Sequence, residues 1–309
     1  MGVFVFLPLV LPLTAWPVAR LAEQRLHPRT ATRLLTAVAG VLAVCSTLCL
    51  GLLVIVGTAQ LPGNPLPDGW SDPEVRAAVP YDEVAGRAAI PALLAVLVSC
   101  AWAAWRHARV RRRAVAALAG LPAGPVAVLP DPDPYAYALP GRHDRVVVSA
   151  GMLAGLKAAE RRALFAHERA HLTGRHHRHL LVVHLAARAN PFLRPLRTAV
   201  TYTAERWADE DAAIEVGSRR TVARAIGKAA LMSRAPLAVT LPAFAAAGPV
   251  PRRVAALMRP APAGRAWPSA FTAVGLAVWG AAAGATVSAL FSANSAVTLF
   301  AILRAATPM

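Results

Sequence analysis

Residues 166–174 read AHERAHLTG: two histidines four positions apart, a glutamate beside the first, and a glycine that stops a helix. Positions i and i+4 share one helix face, so His167 and His171 stack one turn apart within reach of a single metal ion. Glu168 then lies about 100° round the helix, where it can meet a water on that ion. The spacing predicts metal-assisted hydrolysis. A zinc ion lowers the pKa of water toward ~7, and a carboxylate beside it can take the proton and return it to a leaving amine. Glu168 is therefore the expected catalytic residue, base first and acid afterwards.

A catalytic zinc site keeps one coordination position open and takes three protein ligands. Downstream, TAERWADED (Thr203–Asp211) offers Glu205 and, one turn on, Asp209. Alone, such an acidic run reads as a solvated face; with HERAH upstream, Glu205 becomes the expected third ligand. Asp209 is expected to accept a hydrogen bond from the free ring nitrogen of His167 or His171 and fix its tautomer. The nearby His176, His177, His179 and His184 read as a basic, exposed segment and not as a second metal site. Tyr202 and His179 are both conceivable oxyanion partners, and the sequence does not choose between them.

Around the motif the pattern is mixed. Arg145–Ser149 (RVVVS) reads as a strand, and Ser149 caps a helix whose apolar positions recur from Leu153 through Leu172 to the stop at Gly174. Further helices are expected over Leu196–Val216, ended by Gly217, and Ser218–Met232. Leu121–Gly141 reads as irregular chain feeding short strands. Within it Tyr135–Leu139 (YAYAL) alternates, which suits either an exposed docking edge or an ordinary core strand.

Farther out lie uncharged apolar runs at residues 3–19, 34–57, 88–105 and 269–290, read as four transmembrane helices. The first carries Pro8, Pro12 and Pro17 and is expected to be retained, not cleaved. The last holds Gly280 and Gly284 at a spacing that permits close helix packing. Arg20, Arg25, Arg29 and Arg33 follow the first run, and Arg106, Arg109 and Arg111–Arg113 follow the third; the 58–87 connection is acidic. Arginine-rich connections stay in the cytoplasm. The expected localisation is a multi-pass cell-membrane protein with an outside N-terminus, a cytoplasmic polar domain and an outside C-terminus. The domains are 1–113 with the outer loop 58–87, 114–267, and 268–309. The fold class is an α-helical integral membrane protein with an α+β zincin-like (gluzincin) domain between spans three and four.

Composition agrees: 56% hydrophobic and 16% charged residues, with mean hydropathy +0.47, are unusual for a soluble globule. A net charge of +17 would suggest nucleic acid in a soluble protein. Here the arginines border apolar runs, so the lipid bilayer is the expected partner and direct nucleic-acid binding is not. Cys45, Cys49 and Cys100 lie within apolar runs without the spacing of a disulfide framework or metal knuckle.

RVVVSAGML, AHERAHLTGRHHRHLL, NPFLRPL (Asn190–Leu196) and AERWADEDAA, with four spans, resemble the BlaR/MecR type of antirepressor metallopeptidase over nearly the whole chain. The resemblance implies one zinc ion (Zn2+) per chain held by His167, His171 and Glu205, with Glu168 catalytic. It implies a zinc endopeptidase whose partner is a cytoplasmic protein substrate, a transcriptional repressor, cleaved in response to an outside signal. Only Phe291–Met309 follow the fourth span, so the penicillin-binding sensor of those receptors, and β-lactam acylation with it, is not expected. Two other readings stay open: a membrane protease of the HtpX/CAAX-processing kind, and a non-catalytic membrane receptor or scaffold.

Overall fold

Charge-free runs of Leu, Val and Ala leave a chain in a bilayer one way to satisfy its backbone, as helix. The computed structural model describes residues 5–59, 61, 63, 66–71, 82–122, 124–233, 250–262, 267, 269 and 271–306. Among them three helices are long and apolar enough to cross a membrane: α2 (Pro28–Thr58), α3 (Asp82–Ala116) and the last helix, α10 (Ala273–Ala305). The stretch expected as a first span is not one long helix. It breaks into a turn at Leu7–Val10, a 3-10 turn at Leu11–Thr14, and α1 (Ala15–Arg25). Pro8 and Pro12 sit in the first turns of those short pieces, where a missing N–H costs little and the regular α-helical hydrogen-bond ladder is interrupted.

The other apolar runs lengthen. α3 absorbs the arginines after Trp105, and α10 continues through residues expected to form an outer tail. Of the outer loop expected at 58–87, residues 72–81 lie outside the described residues. The tightest helix approach is at Gly57 and Gly86, where α2 and α3 meet so closely that a Cβ on either would strike the other backbone. At the expected Gly280–Gly284 pair, Gly280 faces open space and Gly284 makes only an ordinary contact with Leu11.

The polar part holds a three-stranded sheet of β1 (Val126–Leu129), β2 (Ala136–Leu139) and β3 (Arg145–Ser149), in the order β1-β3-β2. β1 runs parallel to β3 and β2 antiparallel. Ser149 donates its N–H to the carbonyl of Tyr135, and the register pairs Tyr137 with Val147. Odd-numbered residues of β2 therefore face β3, and Ala136 and Ala138 turn their backbone groups away from it, where both residues are buried. Its four side chains are nonetheless all buried, so YAYAL is an edge by hydrogen bonding and core by packing.

β3 enters α4 (Ala150–Gly155), capped by the Ser149 hydroxyl, which accepts from the Met152 N–H at 3.1 Å. The single expected helix is two. α5 (Ala158–Thr173) starts afresh after extended backbone at Leu156 and Lys157, where Glu160 accepts the Lys157 N–H at 2.9 Å. Then come α6 (His176–Ala189), α7 (Arg194–Val216) ended by left-handed Gly217 (φ 73°), α8 (Arg219–Met232) and α9 (Val250–Leu257).

No gap separates span from polar domain. Leu34, Leu35, Val38 and Leu42 of α2 share one apolar core with Val183 and Ala186 of α6 and Leu196, Ala199 and Val200 of α7. Thr32 also donates to the Thr203 hydroxyl at 3.0 Å. The helix that carries the acidic motif is thus packed directly on a membrane helix.

Candidate metal centre

The α5 backbone sets His167 and His171 one turn apart, with their Nε2 atoms 3.1 Å from each other. α7 crosses α5 and brings in Glu205, whose carboxylate oxygens lie 3.5 Å from His167 Nε2 and 3.4 Å from His171 Nε2. All three side chains are buried, and they are the one group among the described residues that could hold a metal ion. In a tetrahedral zinc site with bonds of 2.0–2.1 Å, neighbouring ligand atoms stand roughly 3.3–3.4 Å apart. The separations of 3.1, 3.4 and 3.5 Å are compatible with that edge length, the last two being to different oxygens of Glu205.

Asp209 reaches His167 from the other side, 3.1 Å from Nδ1, leaving Nε2 for the cluster. Glu168 is also fully buried, and apart from the nearby Ala138 N–H its carboxylate has no hydrogen-bond partner among the described residues. Burial pushes its carboxyl up to about 8; Glu205 adds to this, while His167, Arg253 and the nearby Ala138 N–H pull against it. Burial works against charge on His167, but Asp209 and Glu205 outweigh it and hold the ring up to about 9.

Two groups here escaped the sequence reading. Arg253, from α9, is fully buried: Nε lies 2.9 Å and Nη2 2.6 Å from the Asp209 carboxylate, and Nη1 is 3.0 Å from Glu205. Burial disfavours its charge, yet Asp209 and Glu205 raise its pKa above the ordinary arginine value. Asp209 is held below the usual carboxylate range although burial pushes the other way, because Arg253 outweighs burial. A signal for it was present: Val250, Arg253, Val254 and Leu257 form one helical face, with a guanidinium where an apolar residue belongs.

The second is His176. Its expected exposure is overturned: the side chain is fully buried, and its Nδ1 lies 2.8 Å from the Nδ1 of His171. Burial, with the neighbouring histidines, drives its pKa down to about 3, so the ring is neutral. Arg175 makes this possible by taking a left-handed conformation (φ 51°) that ends α5 and starts α6 at once. Trp207 of α7 packs on the His176 ring, 4.4 Å between centroids, and Arg29 and Arg33 of α2 lie over Trp207 at 5.4 and 5.3 Å. Of the conceivable oxyanion partners, Tyr202 packs under Arg252 and His179 lies against Trp207.

The comparisons with known proteins enter at this point. Residues 101–188 are similar to the model of Peptidase family M48, a stretch that includes HERAH and His176 but ends before Glu205, Asp209 and Arg253. No curated protein and no solved structure matches the chain.

Proposed function

We propose that the protein is a membrane-bound, zinc-dependent endopeptidase with His167, His171 and Glu205 as metal ligands and Glu168 as catalytic base and acid. The observation that carries this reading is the convergence of two buried imidazole nitrogens and the Glu205 carboxylate within 3.1–3.5 Å of one another, beside the buried Glu168. The similarity of residues 101–188 to Peptidase family M48 supports it independently.

A zinc ion, when bound, supplies Lewis acidity that acidifies water and polarises a peptide carbonyl. The rest is done by the chain. Asp209 holds His167 with Nε2 directed at the cluster, and His176 does the same for His171 from behind. Arg253 balances the charge of Asp209 and Glu205, so that neither has to protonate in a buried site. Glu168, ionised once a cation stands beside it, takes a proton from water and delivers it to the leaving amine. The substrate is an extended peptide that must reach the buried Glu168 beside β2.

The substrate is a cytoplasmic protein, in our reading a transcriptional repressor, and the enzyme a switch of the BlaR/MecR type. The polar domain then faces the cytoplasm. The path from the span favours a switch over quality-control proteolysis: Arg29 and Arg33 of α2 touch Trp207, Trp207 touches His176, and His176 touches His171. Quantitative proteomics of cells carrying wild type or Glu168→Gln tests this. Cytoplasmic cleavage products that vanish in the variant, together with changed transcription, are expected; identical products and transcription overturn it.

A further inference from the structure

The turn between α6 and α7 lies deeper than a cytoplasmic domain should. Val182 meets α2 at Gly40, six residues inside the charge-free run that starts at Leu34, which at 1.5 Å per residue is about 9 Å. Leu185 accepts a hydrogen bond from the Cys100 thiol, five residues inside the run that closes at Trp105, about 8 Å by the same rise. Two spans give the same depth independently. α6 continues beyond both contacts to Ala189, so the connecting residues 190–193 lie deeper still.

The chemistry of the turn fits such a place. Phe192 is 52% exposed at the tip although its neighbour Leu193 is buried, and Val182 is 39% exposed beside an apolar groove that runs along α2 from Gly40 to Ile55. Arg188 lies over Trp102 at 5.8 Å, and Arg194 and Arg197 follow the tip. Apolar tips ringed by arginines bury the tip among acyl chains while the guanidinium groups reach back to phosphates. Asn190 accepts the Phe192 N–H at 3.0 Å, so the turn satisfies its own backbone as low-dielectric surroundings require.

We infer that the α6–α7 turn is a membrane-dipping hairpin whose tip, Phe192, sits among the acyl chains of the leaflet from which α2 starts. The partner is the phospholipid bilayer itself. The inference rests on the membrane reading of α2 and α3 and not on the peptidase reading.

The full-length protein, with Cys45, Cys49 and Cys100 replaced by alanine, tests it in phosphatidylethanolamine/phosphatidylglycerol vesicles. Nitroxide labels go on Phe192→Cys, on Val44→Cys of α2 (68% exposed) as lipid reference, and on Gly141→Cys as aqueous reference. Power saturation should find the label at 192 accessible to oxygen and shielded from a nickel chelate, within twofold of the Val44 site. Nickel accessibility matching Gly141, with Val44 shielded, overturns the hairpin; nickel accessibility at Val44 sinks the membrane reading first and the hairpin with it. Should Phe192→Cys fail to fold, hydroxyl-radical footprinting of the unaltered protein gives the same decision. Phe192 in vesicles should oxidise several-fold more slowly than exposed His143, and equal rates reject the proposal.

Discussion

His176 and Arg253 are where the chain commits buried polar groups to a purpose, and each makes a prediction. With the Nδ1 atoms of His176 and His171 2.8 Å apart, one imidazole must donate to the other, which fixes the tautomer of a proposed metal ligand. His176→Ala should weaken zinc binding by about 10- to 100-fold with the fold intact, as read by competition with a chromophoric chelator. Unchanged affinity would reduce His176 to packing. Replacing Arg253 by Met leaves the Asp209 and Glu205 carboxylates buried without their counter-charge, at a cost of about 3–5 kcal/mol. Chemical unfolding in detergent should show that loss, and Asp209→Asn in the same background should return part of it. That His167, His171 and Glu205 come together was legible in the sequence because helix periodicity is local and two helices with inward polar side chains have few ways to meet. Arg253 is 44 residues from Asp209, and His176 needed an arginine in a left-handed turn; neither is written in short-range pattern.

Among the elements, α5 depends on how it starts. Glu160 takes the Lys157 N–H at 2.9 Å and the Lys228 ammonium of α8 at 2.8 Å, tying the motif helix to its neighbour. Glu160→Ala should cost about 1–2 kcal/mol, the usual worth of a helix cap with a partly exposed ion pair beside it. Burial pushes the Glu160 carboxyl up, but Lys228 and the Lys157 N–H outweigh it and hold it below the ordinary value. A depressed folded-state pKa gives stability that is full above the unfolded-chain value of about 4.3 and is lost as pH falls through the folded one. The stability gap between wild type and Glu160→Gln should therefore narrow from pH 5 downward; a gap that widens contradicts the ion pair. The Ser149, Gly217 and Ser218 boundaries were readable because caps are local chemistry, the Ser218 hydroxyl accepting from Thr221 at 3.2 Å. The break at Leu156–Lys157 was hidden, since apolar periodicity runs straight across it.

At the scale of the molecule, three long apolar helices frame a polar domain fused to α2 through a shared core. Composition and charge-free runs made the membrane character plain. They missed the broken first stretch, where proline placement overrides hydropathy. The proposed cytoplasmic placement of the polar domain rests on the arginine bias. A cysteine at Leu61 should label from outside intact cells and one at Gly141 should not; the reverse would place the metal centre outside. Gly69 is a poor choice for the outer probe, because a Cβ there strikes the Ala306 carbonyl.

The zinc content of protein purified without chelators tests the central claim most directly. Wild type and Glu168→Gln should each carry about one zinc per chain, and Glu205→Ala, which lacks one of the three proposed ligands, should carry almost none. Wild-type protein free of zinc, or a Glu205→Ala variant that keeps it, would contradict the metal centre and the peptidase reading that depends on it.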